Sequence, residues 1–406
     1  MRRRKIFCIH FIVGAFTLAT TILAGRAASI APGNLVIYRV GNGPFALSTS
    51  ATAVFLEEYT PGGTLVQTIA LSTNGSTAFT AVGNATTEGI ISRSQDGAFL
   101  IFTGYRKTAG GTSPAADSPS TVNRVIGTLN AAGVVNTTTA LTNGNAFTIR
   151  SATSVNGTSA FWVSGSVNVS YDNAPFVQSS NVVIDARNSR QVNMSGNTLY
   201  AANGSTTIAN KLQSYGTLPT NTTVPTAVVT LALSDAINSF VILDLNPSVA
   251  GDDTIYAMST VENLLRKYSF DGTNWTSRGS ISAGGGANIT GYVANNVAVL
   301  YVTSAGSLFS FSDASGPTGT ISGSLGSAIA TAGFNTAFRG IGMFPPAMAI
   351  RRADTNVVVS WRPTGGGFVL QTATNITGSW SNSSNQANPQ TNSVDNSASA
   401  LFYRLK

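Results

Sequence analysis

The chain has 406 residues, of which only 10% are charged and 43% are apolar, with a net charge of +7. Removing Arg2, Arg3, Arg4, Lys5 and Arg26 takes 23 basic residues to 18 against 16 acidic ones, a net of +2, so the basic balance belongs largely to one end of the chain. A clustered basic face for nucleic acid is therefore not expected.

That end comes first in chain order. Arg2 to Lys5 form a basic n-region, an apolar run follows from Ile6 to Gly25, and Gly25-Arg26-Ala27 offers small residues for cleavage. The pattern predicts a secretory signal peptide over 1–28, hence export and no membrane segment after cleavage. An uncleaved anchor is the competing reading. The chain's single Cys (Cys8) and single His (His10) both lie in this segment. The mature chain would then lack the residues of thiol nucleophiles, Ser-His-Asp triads and the usual zinc or haem sites. Catalysis is left to Asp, Glu, Tyr, Lys and Arg, and metal binding to oxygen ligands, which suit Ca²⁺.

After residue 28 no helical period stands out. Short alternating runs bounded by Gly, Asn and Asp recur instead, which is the strand and hairpin signature. Val54–Tyr59 and Thr64–Leu71 flank Thr60-Pro61-Gly62-Gly63, and Asp96-Gly97 and Asp271-Gly272 mark two further hairpins. The hairpins recur as pairs. Inner pairs are expected near 87–105, 147–165, 190–203, 239–259 and 287–303, and outer pairs near 51–72, 122–142, 174–186, 263–282 and 307–322; 211–232 reads as irregular. One four-stranded unit per roughly 40–55 residues is the scale of propeller blades. Ala337–Met343 (AFRGIGM) reads as an unpaired inner strand and Asn34–Val40 as a strand lacking its inner neighbour. Their pairing would close a ring of six blades, with seven as the alternative.

The segments NLVIYRVGNG, VFLEEYTPGGTLVQTIAL, SRSQDGAFLIFTGY and NTAFRGIGMFP resemble those of secreted bacterial β-propeller proteins of uncharacterised function, over roughly residues 33–346. The resemblance implies architecture rather than activity. Phe344-Pro345-Pro346 marks a boundary, giving a propeller over 29–346 and a small β domain over 347–406. The pattern SW…GGFVLQTATNITGSW…FYRLK resembles small β-sandwich-like C-terminal modules of secreted bacterial proteins, which implies attachment, sorting or ligand binding.

Candidate site residues are few. Glu57 and Glu58 are adjacent acids, as a glycosidase would use. Neighbouring strand side chains diverge, however, so the pair is expected to solvate the outer end of a hairpin. Ser269–Trp275 resembles the Asp-box turn of sialidase-type propellers but has one residue fewer between Asp and Gly. Asp252 and Asp253, in a loop, are the candidates for a Ca²⁺ site. Arg93, Arg124 and Arg339 are the candidates for a binding face of the propeller. Trp162, Trp275, Trp361 and Trp380 are expected mainly in cores. The expected role is non-catalytic binding or scaffolding outside the cell, with a glycan, cell-wall component or extracellular protein as partner. A propeller hydrolase or lyase using Tyr, Arg or Asp is the rival, and surface attachment through the C-terminal module a third reading.

Overall fold

The computed structural model describes residues 27–143, 147–167, 169–172, 177–178, 182–353, 356–362, 367–393 and 401–406. The expected signal peptide lies almost wholly outside these residues, as does part of the outer pair expected at 174–186. Apart from two short 3₁₀ turns, the regular structure described is all strand.

Six four-stranded antiparallel blades form a β-propeller. Blade 1 runs from the inside outwards as Ala337–Met343, Leu35–Val40, Ala51–Tyr59 and Leu65–Ala70. Blade 2 begins with Ser92–Arg93 and Phe99–Tyr105 and blade 3 with Ile149–Ser154 and Phe161–Gly165. Blade 4 begins with Ser189–Ser195 and Thr198–Asn203, blade 5 with Ile237–Leu243 and Thr254–Ser259, and blade 6 with Asn288–Ala294 and Val297–Thr303. The ring closes as the sequence suggests: Ala337–Met343 pairs with Leu35–Val40, with Ile37 opposite Ile341. It also lies against the inner strands of blades 6 and 2.

Alternation along each strand explains why the blades must stack. Val36, Tyr38 and Val40 face Leu100, Phe102 and Val125 of blade 2, while Leu35 and Ile37 face Tyr292, Tyr301 and Leu308 of blade 6. Both faces of a blade are apolar, so each must be covered by a neighbour, and one buried cluster fills each of the six blade interfaces. Inner strands diverge too far to form ladders with one another, and polar side chains bridge the gaps. Ser92 Oγ donates to Val192 O at 2.6 Å, Thr303 Oγ1 to Arg339 O at 2.5 Å, and Gln191 Oε1 accepts from Phe240 N at 2.6 Å. Buried backbone groups need such partners. This accounts for Ser, Thr and Gln at positions that composition alone would assign to apolar residues.

Two expectations need correction. Residues 211–232 are not irregular: Asn210–Thr217 and Thr226–Thr230 form the outer pair of blade 4. Register shifts around Leu212 break the two-residue period that would have revealed them. Glu57 and Glu58 do diverge, but neither solvates a hairpin, since both are buried. Glu57 accepts from Arg39 at 2.5 Å and Tyr59 at 2.9 Å, and Glu58 from Asn34 and Gln67, each at 2.7 Å, and from the Ala31 N–H at 2.9 Å. The pair ties blade 1 together.

Beyond Pro345-Pro346, two three-stranded sheets make a small β-sandwich-like C-terminal unit, with Val359, Trp361 and Leu370 between them. Its Phe368 stacks on Tyr292 of blade 6 at 5.2 Å. Trp162 is likewise a core residue, donating Nε1–H to Pro219 O at 2.7 Å.

Candidate functional site

Each inner hairpin turns on the same face of the ring. Ser94–Gly97 of blade 2, Ser195–Asn197 of blade 4 and the loop holding Asp252 in blade 5 are three of these turns. Between them a cavity of about 150 Å³ opens on the axis, lined by the ends of the inner strands. Gln191 spans its buried end, since its Nε2–H reaches Ile91 O of blade 2 while Oε1 holds the Phe240 N–H of blade 5. The axis is thus a blind mouth at this face.

Arg93 and Asp252, from blades 2 and 5, both line this mouth. Asp252 is exposed and accepts a hydrogen bond from Ser195 Oγ at 2.5 Å. The Arg93 side chain is open to solvent yet closely walled by protein. That crowding pulls its pKa below the ordinary guanidinium value, against the opposing field of Asp252. Among the described residues its guanidinium has no hydrogen-bond or ion-pair partner. Gln95 at the rim donates Nε2–H to Asn197 Oδ1 at 2.5 Å, while its buried Oε1 has no partner among the described residues. The mouth therefore offers a cation and a carboxylate on one small surface. Asp244 adds negative potential nearby: burial, then Asp253 and Asp252, raise its own pKa.

The other expected site residues lie elsewhere. Arg124 is a correction: it sits on the third strand of blade 2, fully buried, and its donors go to Phe147 O, Val122 O and Ala115 O. No face of the propeller is within its reach. Arg339 is on an inner strand as expected but is buried, donating to Val82 O and Gly83 O. It belongs to a polar cluster with Glu88, Tyr105 and Arg150 near the starts of the inner strands, at the opposite end from the mouth. Asp253 diverges from Asp252. Its oxygens accept from Asn246 N at 2.8 Å and Thr254 Oγ1 at 2.6 Å, so it shapes the loop rather than sharing a site with its neighbour. Among the described residues no three Asp, Glu, His or Cys side chains group as metal ligands.

Sequence reasoning missed Gln95, Asn193 and Ser195. The available signal was positional, because each lies in or beside the turn of an inner hairpin. A larger cleft of about 760 Å³ separates blade 6 from the C-terminal unit. There Tyr292 and Tyr301 are hydrogen-bonded to each other and the Tyr292 ring is covered by Phe368, so it offers less free polar chemistry than the mouth.

No protein-family model matches the chain, and no curated protein does. Three solved structures resemble it at low identity. A nidogen/laminin complex structure is 10% identical with a TM-score of 0.46, covering 77% of this chain and 98% of that one. A putative 6-phosphogluconolactonase from Bacteroides fragilis is 12% identical with a TM-score of 0.42, covering 92% and 98%. The WD40 domain of Toxoplasma gondii coronin is 8% identical with a TM-score of 0.35, covering 83% and 72%. The strand pairing described above makes the chain a β-propeller protein with a small C-terminal β unit.

Proposed function

We propose that this chain is an exported, non-catalytic binding protein that takes a charged group of an extracellular ligand into the axial mouth. The observation that carries the reading is Arg93, a guanidinium lining the mouth with Asp252 and without a hydrogen-bond or ion-pair partner among the described residues. A perturbed charge in a cleft marks a functional-site candidate. Among the described residues Asp252 is the one carboxylate lining the mouth, which supports recognition over two-carboxylate hydrolysis. Export rests on the basic and apolar pattern of residues 1–28. The ligand would then be a sugar acid, an amino acid or a cell-wall component.

The test is a panel of sugars, sugar acids, amino acids and cell-wall fragments, read by thermal shift and by product chromatography. A ligand that binds the folded state raises Tm by mass action. Stabilisation with no product formed is the expected result; release of product from any panel member would turn the reading to an enzyme.

A further inference from the structure

We infer that the ligand of the axial mouth is a small zwitterion of the free α-amino-acid class, its carboxylate on Arg93 and its ammonium on Asp252. The inference rests on the binding reading above and adds the ligand's chemistry.

Three observations lead to it. First, the mouth carries opposite charges that do not neutralise each other. Arg93 and Asp252 feel each other's field but form no ion pair, so a gap remains between them. A simple anion would satisfy Arg93 and set its own charge against Asp252, with Asp244 close behind. A simple cation would leave Arg93 unpaired. A molecule with both charges a few bonds apart satisfies both groups and leaves the site neutral.

Second, the unused hydrogen-bonding capacity has the matching sense. Ser195 already donates to Asp252 Oδ2, which leaves Oδ1 of this exposed carboxylate as the acceptor for a ligand. An ammonium has three donors and no acceptor. It can give one to Asp252 as a charge-assisted bond, whereas a hydroxyl brings no charge. On the other side, a guanidinium fork matches a carboxylate through two parallel bonds.

Third, size restricts the ligand. The cavity measures about 150 Å³, well under the ~300–1,000 Å³ of a drug-sized site. Gln191 and Phe240 close its inner end. A few heavy atoms fill it, as in glycine or alanine. Met194 and Ile242 supply the apolar part of the wall for a short side chain.

The experiment is calorimetric titration of the full chain with glycine, L-alanine and D-alanine. The comparison compounds are lactate (hydroxyl for ammonium), N-acetylalanine (no charge on nitrogen) and alanine methyl ester (no carboxylate). At least one of the three amino acids is expected to bind. Loss of one charge-assisted contact should weaken binding about ten- to a hundredfold in each comparison compound. Arg93→Gln should abolish the preference for alanine over its ester, and Asp252→Asn the preference for alanine over lactate. Thermal melts of both variants confirm that they are folded. If lactate and N-acetylalanine bind as tightly as alanine, and Arg93→Gln weakens all of them, the mouth is an anion site. The zwitterion inference then fails while the binding reading stands. If none of the six compounds binds, the inference is overturned; if the wider panel is also silent, the binding reading falls with it.

Discussion

Tyr105 Oη donates a hydrogen bond to Glu88 Oε1 at 2.7 Å, inside the ring and at the far end of the axis from the mouth. The Val82 N–H holds the other carboxylate oxygen at 3.0 Å. Burial pushes the Glu88 carboxyl up to about 7 from an ordinary 4.5, against the lowering effects of these hydrogen bonds and of Arg339 and Arg150. Because the folded state holds this proton more tightly than the unfolded chain, its contribution is fully present below about pH 4.5. It is lost as pH rises through about 7. At about 1.4 kcal/mol per pH unit the change amounts to about 3 kcal/mol. Urea unfolding between pH 5 and pH 8 is expected to show the wild type losing stability relative to Glu88→Gln by this order. A difference that stays constant with pH would contradict the assignment.

Ring closure gives a second prediction. Gly340, on the closing strand, has no room for a side chain: a Cβ there would stand 2.1 Å from Gly89 O and 2.4 Å from Ile91 N. Both obstacles are backbone, so the strand would have to move. Gly340→Ala should cost about 1–3 kcal/mol, as overpacking does. At Gly306 a Cβ would meet nothing within 4 Å; Gly306→Ala, measured by the same urea titration, should stay within about 0.5 kcal/mol of wild type. Equal effects at the two positions would mean that the closing strand does not pack as described.

Lys267 and Asp313 give a third. The Lys267 ammonium is fully buried, 2.7 Å from Asp313 Oδ2, and Tyr256 Oη donates to the same oxygen at 2.6 Å. Lys267→Met removes the cation and leaves a buried carboxylate without its counter-charge, at a cost of about 3–5 kcal/mol. Adding Asp313→Asn should recover a good part of that loss. A double variant as unstable as the sum of the two single ones would show that the residues act independently.

How far the sequence speaks depends on whether the information is local. The alternation of Leu35, Ile37 against Val36, Tyr38, Val40 is visible in six consecutive letters, and it dictates two covered faces and hence a stacked ring. The closing strand was legible for the same reason, as an apolar strand with no hairpin partner. The outer pair of blade 4 was not, because bulges at Leu212 displace the pattern. The burial of Glu57 and Glu58 was not legible either, since their partners Arg39, Asn34 and Gln67 lie outside their own strand. Arg93 and Asp252 could each be picked out near a turn, but their meeting depends on blades 2 and 5 facing across one axis. Arg124 shows the opposite error: a charge near a strand end looked available, and the fold spends it on three carbonyls.

The central claim is that the axial mouth binds through Arg93. It is tested most directly by the affinity of wild type and Arg93→Gln for whichever panel compound stabilises the wild type. The account predicts a loss of about ten- to a hundredfold, the worth of a charge-assisted contact, with the variant's unliganded Tm unchanged or raised. Equal affinity in the two proteins would contradict it.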